Sequence, residues 1–92
     1  MSLSLDDFRC KLMDKIILAG SQQDVKRFCD GAMKGLEHHH VNGHIVVRFV
    51  NKMISDLDQF NPIDQDAQQW SNIQMAKIQF NRIKMHLIAE TH

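Results

Sequence analysis

Residues 64–90 read DQDAQQWSNIQMAKIQFNRIKMHLIAE, and the stretch contains no glycine or proline that would interrupt a helix. On a helix with 100° per residue, one group of its apolar side chains falls within an arc of about 80°. This stripe of ordinary core-facing width consists of Ile73, Ala76, Phe80, Ile83 and Leu87. We therefore expect one long C-terminal helix over about residues 64–90, packed on the rest of the chain through this stripe.

A second apolar stripe lies on nearly the opposite side of the same predicted helix, again within roughly 80°. Its members are Met75, Ile78, Met85 and Ala89. A surface helix of a small monomer needs one apolar face, so two faces predict that this helix also packs against a second protein. These four residues are the candidate partner-binding surface. The alternative is chance exposure, since isolated apolar side chains are common on protein surfaces.

Two shorter helices are predicted at the start of the chain. Ser4 with Asp7 begins the first and Ser21 with Asp24 begins the second, and both patterns resemble a capping box with Asp in place of Glu. Gly20 is placed to end the first helix in a left-handed conformation. The resulting link of about two residues favours an antiparallel hairpin.

A third helix is predicted between two breaks. The pair Asn42-Gly43 interrupts the pattern before it, and Pro62 disfavours helical geometry at Asn61 after it. No strand-like alternation is visible, so the sequence predicts an all-α fold: an antiparallel four-helix bundle-like domain with a long C-terminal helix. A chain of 92 residues makes one domain. The predicted helices cover about residues 5–19, 22–38, 43–60 and 64–90.

The charge composition argues against two classes of partner. Eleven basic and eleven acidic residues cancel, whereas nucleic-acid binders usually carry a basic excess. The local excess of bases near the end of the last helix fits the helix dipole. No apolar run approaches the roughly 18–20 residues of a membrane span, and the first residues lack the basic and apolar regions of a signal peptide. We expect no nucleic-acid partner and no membrane partner.

The cysteines indicate a reducing compartment. Cys10 and Cys29 are too few for a disulfide framework and are not spaced as a redox or zinc pair. Both lie on or beside predicted core stripes, so we expect buried free thiols. Free thiols are typical of the cytoplasm, which is therefore the expected location.

A histidine-rich segment, His38–His44, raises the possibility of a metal site. His40 and His44 would share a face of a helix, and Glu37 with His40 forms a Glu-x-x-His pair of the kind used in di-iron bundles. Such sites need several inward carboxylates, and the core stripes contain no acid. We therefore expect a solvated junction with no metal and no cofactor.

No arrangement of residues predicts catalysis. The chain contains no Gly-x-Ser-x-Gly motif, phosphate loop or dinucleotide fingerprint, and a bundle this small offers little pocket volume. We expect a small non-catalytic helical module, not an enzyme, that forms a homodimer or docks a helical protein partner through the second stripe. The alternatives are a metal-binding bundle that uses His38–His44 and a small ligand-binding domain with a pocket between helices.

Overall fold

The structure, a computed structural model, describes residues 4–90, and within that range it contains helices and no strand. The all-α prediction is confirmed, and an antiparallel order of the helices fits the arrangement. A short 3-10 turn at Pro62–Asp64 lies between the third and fourth α-helices. The four α-helices are α1 (Leu5–Ile17), α2 (Gln22–His38), α3 (Gly43–Asp58) and α4 (Ala67–Glu90).

The first two helices begin at the serines that the sequence indicates. The Ser4 hydroxyl accepts a hydrogen bond from the backbone N–H of Asp7 at 3.4 Å, and the Ser21 hydroxyl accepts one from Asp24 at 3.2 Å. Each bond satisfies one of the backbone donors that the first turn of a helix leaves unpaired. The starts of α1 and α2 therefore follow from local side-chain chemistry.

The end of α1 differs from the expectation. The helix stops at Ile17 instead of residue 19, and Gly20 has no positive φ. The buried side chain of Asn72, on α4, donates hydrogen bonds to the carbonyls of Ile17 at 3.2 Å and Ala19 at 2.8 Å. Because a side chain from another helix satisfies these carbonyls, no left-handed glycine is needed. The link to α2 is also longer than the predicted two residues.

The end of α2 adopts a Schellman motif with histidine in the left-handed position. His40 has φ 55°. Its N–H donates to the carbonyl of Glu37, and the N–H of Val41 donates to the carbonyl of Leu36. The break therefore falls before Asn42, which instead begins α3 through a hydrogen bond that its side chain accepts at 2.8 Å.

This conformation predicts the effect of one substitution. Because Cβ makes a left-handed conformation costly, His40→Gly should raise the free energy of unfolding by about 0.5–1 kcal/mol. Urea denaturation followed by circular dichroism measures the change. His39→Gly is the matched control: His39 has φ −86°, so glycine there should lower stability. Equal effects of the two substitutions would contradict the assignment.

The start of α4 lies later than expected. Residues 62–64 form the 3-10 turn, and α4 begins at Ala67. The Asp66 carboxylate accepts from the N–H of Gln69 at 2.7 Å, and the Gln69 side chain accepts from the N–H of Asp66 at 3.2 Å. This reciprocal pair is a full capping box, so Asp66 marks the start of the helix. Pro62 suits the first turn of a 3-10 segment as well as that of an α-helix, which explains why the sequence predicted the start of α4 at residue 64 instead of residue 67.

The core-facing stripe of α4 is buried only in its first part. Ile73, Ala76 and Phe80 have no exposed surface, whereas Ile83 and Leu87 are half-buried. At 1.5 Å per residue α4 is about 36 Å long, against about 26 Å for α2. Ile83 and Leu87 stay half-buried because they line an open cleft beside α2 and α3. The other buried core residues are Leu12, Ile16, Ala19, Val25, Cys29, Ala32, Leu36, Val46, Phe49, Val50, Met53 and Leu57.

Candidate interaction surface on α4

The second stripe of α4 is mostly on the surface. Ile78 is 48% exposed, Met85 is 69% exposed, and Ala89 is also exposed. Met75 is half-buried and packs against the core. The structure thus places three of the four predicted partner-binding residues where a partner could reach them and uses the fourth partly for its own core. Their role in binding stays a prediction.

The most apolar part of α4 is also its least covered part. In the segment Ile83–Ala89, five of the seven residues are apolar, and none is buried. Three of them, Met85, Ile88 and Ala89, are exposed. A helix that is apolar on all sides is normally covered by protein or lipid. This end of α4 therefore has more apolar surface than its own chain covers.

Ile88 belongs to this surface although it lies outside the predicted stripe. It is 39% exposed and follows Met85 by three residues, while Ile78 precedes Met85 by seven. These are the spacings of a helical seam that packs on another helix. The seam spacing, rather than the angular arc, was the signal that could have identified Ile88. The large hydrophobic side chains exposed elsewhere in residues 4–90 are Leu18, Ile45 and Ile63.

Positive charge accompanies the exposed end of α4. Lys77 is tied to the bundle, since its Nζ lies 3.0 Å from Asp58 and 5.8 Å from the centre of the Trp70 ring. Arg82 and Lys84, further along the helix, make no ion pair with any residue that the structure describes. The cations beside the exposed stripe are therefore available to solvent or to a partner.

Another cation is used entirely within the fold. The Arg9 guanidinium donates to Asp6 at 2.8 Å and, across to α3, to Asp56 at 2.9 Å. Burial by itself would lower the pKa of Arg9, but the hydrogen bonds to the two carboxylates outweigh it and raise the pKa above its usual value. Arg9 therefore joins α1 to α3.

The histidine segment lies on the surface. His38, His39, His40 and His44 are all exposed, and the rings of His38 and His39 meet edge to face at 5.7 Å. Within residues 4–90, no three His, Cys, Asp or Glu side chains are grouped so that they could hold a metal ion. The metal-binding alternative receives no support from this part of the chain.

The two cysteines differ in environment. Cys29 is buried, and burial together with the nearby charge of Asp30 raises the pKa of its thiol to about 12. At neutral pH the thiol of Cys29 is therefore protonated and a poor nucleophile. Cys10 is exposed, which corrects the expectation that both thiols are buried. It lies at the margin of the α1 stripe, on the side that its neighbours leave open.

A groove between three helices bears on the alternative of a small-ligand-binding domain. A cleft of ≈570 Å³ lies between α2, α3 and α4, and Ile83 and Leu87 form part of its wall. Its volume falls in the range of ligand sites. No buried side-chain polar atom among the described residues lacks a hydrogen-bond partner, and the charged groups of this cleft, Asp30, Lys34 and Glu37, are exposed to solvent. The cleft is better described as a continuation of the incompletely covered end of α4.

Comparison of this chain with family models, with curated proteins and with solved structures gives no significant match. None of the described helices combines the length and the apolar character needed to cross a bilayer.

Proposed function

We propose that this protein is a small non-catalytic helical module that forms a homodimer through the exposed side of α4. The observation that carries the proposal is the segment Ile83–Ala89, in which five of seven residues are apolar and none is buried. Fully burying a large apolar side chain contributes about 1.5–3 kcal/mol. If a second copy covers Ile78, Met85 and Ile88, the burial of each of these side chains contributes a part of that free energy to dimer formation. With free cysteines, the module would work in the reducing cytoplasm.

An antiparallel pairing of two α4 helices fits the residue spacing. It places Ile78 opposite Met85 of the second copy and Met75 opposite Ile88, with the two-fold axis midway between Asn81 and Arg82. Ala89 lies next to these contacts. Two-fold symmetry makes each such contact occur twice. Antiparallel helix dipoles also attract each other weakly. The two Arg82 side chains approach each other near the axis, so added salt should strengthen this dimer by screening their repulsion.

Substitution of Ile78 tests the proposal. Ile78→Asp places an unpaired charge on the seam, and we expect it to raise the dimer dissociation constant at least about tenfold. Because Ile78 is exposed in the single chain, the helical circular dichroism of the variant should differ little from that of the wild type. Light scattering coupled to size-exclusion chromatography and sedimentation velocity measure the assembly.

The matched control is Ile63→Asp, which makes the same chemical change at a residue that is 87% exposed and lies outside α4. It should leave the dissociation constant unchanged. A wild-type protein that is monomeric at high micromolar concentration would show that the homodimer proposal is wrong. Equal weakening by Ile63→Asp would show that α4 is not the interface.

A further inference from the structure

A separate groove lies between α1 and α2, and it shares no residue with α4. Its volume is ≈420 Å³, and all of its lining residues belong to these two helices. The floor is apolar and the edges are basic. Phe8, Phe28 and Gly31 lie on the floor, and Lys11, Lys15 and Arg27 lie at the edges.

The edges of this groove carry uncompensated positive charge. Its described lining contains three basic side chains and no acidic one, although the whole chain has no net charge. Neither Lys11 nor Lys15 makes an ion pair with a described residue. Arg27 lies 3.9 Å from Asp24, but its side chain is 74% exposed, so water screens that pair strongly.

The floor of the groove is fixed by packing against α3 and is open to solvent on its outer side. Phe8 stacks on Phe49 of α3, with the ring centres 5.6 Å apart, which fixes its position. A Cβ built on Gly31 meets no neighbouring atom within 4 Å, and one built on Gly35 would lie 3.9 Å from the Phe8 ring. An apolar side chain from outside therefore has room to lie over Gly31.

We propose that this groove binds an acidic amphipathic helix of a partner protein. The apolar stripe of that helix would lie over Phe28 and Gly31, with carboxylates pairing along both edges. Lys11 and Lys15 are one helical turn apart on α1, a spacing that matches carboxylates at i and i+4 of a second helix. Arg27 faces them from α2. An amphipathic helix presents acids on both sides of one apolar stripe, which is the pattern that these edges require.

Charge reversal provides the first test. The probe is a fluorescently labelled helical peptide of about 18 residues, or five turns, with a leucine stripe flanked by glutamates. Its binding to the full chain is measured by fluorescence anisotropy. The double variant Lys11→Glu with Lys15→Glu should weaken binding at least about tenfold, and added salt should weaken wild-type binding. Lys26→Glu changes an exposed lysine of α2 outside this groove and should leave the affinity within about twofold.

Filling the groove provides a test that does not depend on charge. Gly31→Leu adds a side chain where nothing stands in its way, and leucine favours a helix over glycine, so the variant should stay folded. We expect it to weaken peptide binding at least about tenfold. Gly43→Leu is the matched control, because Gly43 is equally open but lies on α3. It should leave peptide binding unchanged.

Three outcomes would overturn the proposal. The first is wild-type protein that does not bind the peptide at high micromolar concentration. The second is binding that neither the charge reversal nor Gly31→Leu weakens. The third is wild-type protein that does not bind the peptide but binds phosphatidylglycerol vesicles, with the vesicle binding lost in the Lys11→Glu, Lys15→Glu double variant. That result would mean that the groove binds a lipid surface. Each result is independent of dimerisation through α4.

Discussion

Replacing Phe80 with alanine should lower the free energy of unfolding by about 3–5 kcal/mol. Phe80 lies at the middle of α4, has no exposed surface and belongs to the core cluster formed by all four helices. Its removal costs the transfer energy of the ring and leaves a cavity that the packed helices can fill only in part. Small domains have stabilities near 5–15 kcal/mol, so the loss is a large fraction of the total.

The measurement is urea denaturation of the wild type and the variant, followed by circular dichroism. Phe60→Ala is the matched control, because the side chain of Phe60 is half-buried at the edge of the same core. It should cost clearly less than Phe80→Ala. A loss below about 1 kcal/mol for Phe80→Ala would mean that the wrong face of α4 has been assigned to the core.

Replacing Asn72 with alanine should cost about 2–4 kcal/mol, although Asn72 is a polar residue. It is fully buried, and its side-chain N–H groups donate to the carbonyls of Ile17 and Ala19 at the end of α1. Its side-chain oxygen accepts from Gln68 at 2.9 Å. Alanine leaves both carbonyls without these donors, and an unpaired buried acceptor costs about 1–3 kcal/mol.

Asn51→Ala is the control for this substitution. The Asn51 side chain is exposed on α3, away from both proposed surfaces, so its loss should cost less than about 0.5 kcal/mol. Asn72→Asp has almost the same shape but cannot donate, and it should destabilise the protein at least as much as Asn72→Ala near neutral pH. If Asn72→Ala costs no more than Asn51→Ala, another group must hold the end of α1.

The two proposed surfaces can operate together. The α4 surface is apolar, with Arg82 near the proposed two-fold axis and Lys84 at its border, whereas the α1–α2 groove is basic at both edges. Salt separates them in one set of measurements, since it should strengthen the homodimer and weaken the binding of the acidic helix. A dimer formed through α4 would leave both copies of the groove accessible.

Local sequence determined the helical elements and most of their starts. Four helices, the serine caps of α1 and α2 and the bounds 22–38 of α2 follow from side chains within three or four residues of each other. The same spacing assigned Ile73, Ala76 and Phe80 to the core. It also indicated Ile78 and Met85 as exposed apolar residues, since a second stripe on one helix is visible in the chain itself.

Only the tertiary structure decided where α1 ends and how far the core extends. Asn72 ends α1 from a position more than fifty residues away, and no local pattern predicts that contact. The stripe of α4 continues to Leu87, yet full burial stops at Phe80 because Ile83 and Leu87 face an open cleft between α2, α3 and α4. Periodicity determines the direction in which a side chain points, and how closely the neighbouring helices pack at that point determines whether the side chain is covered.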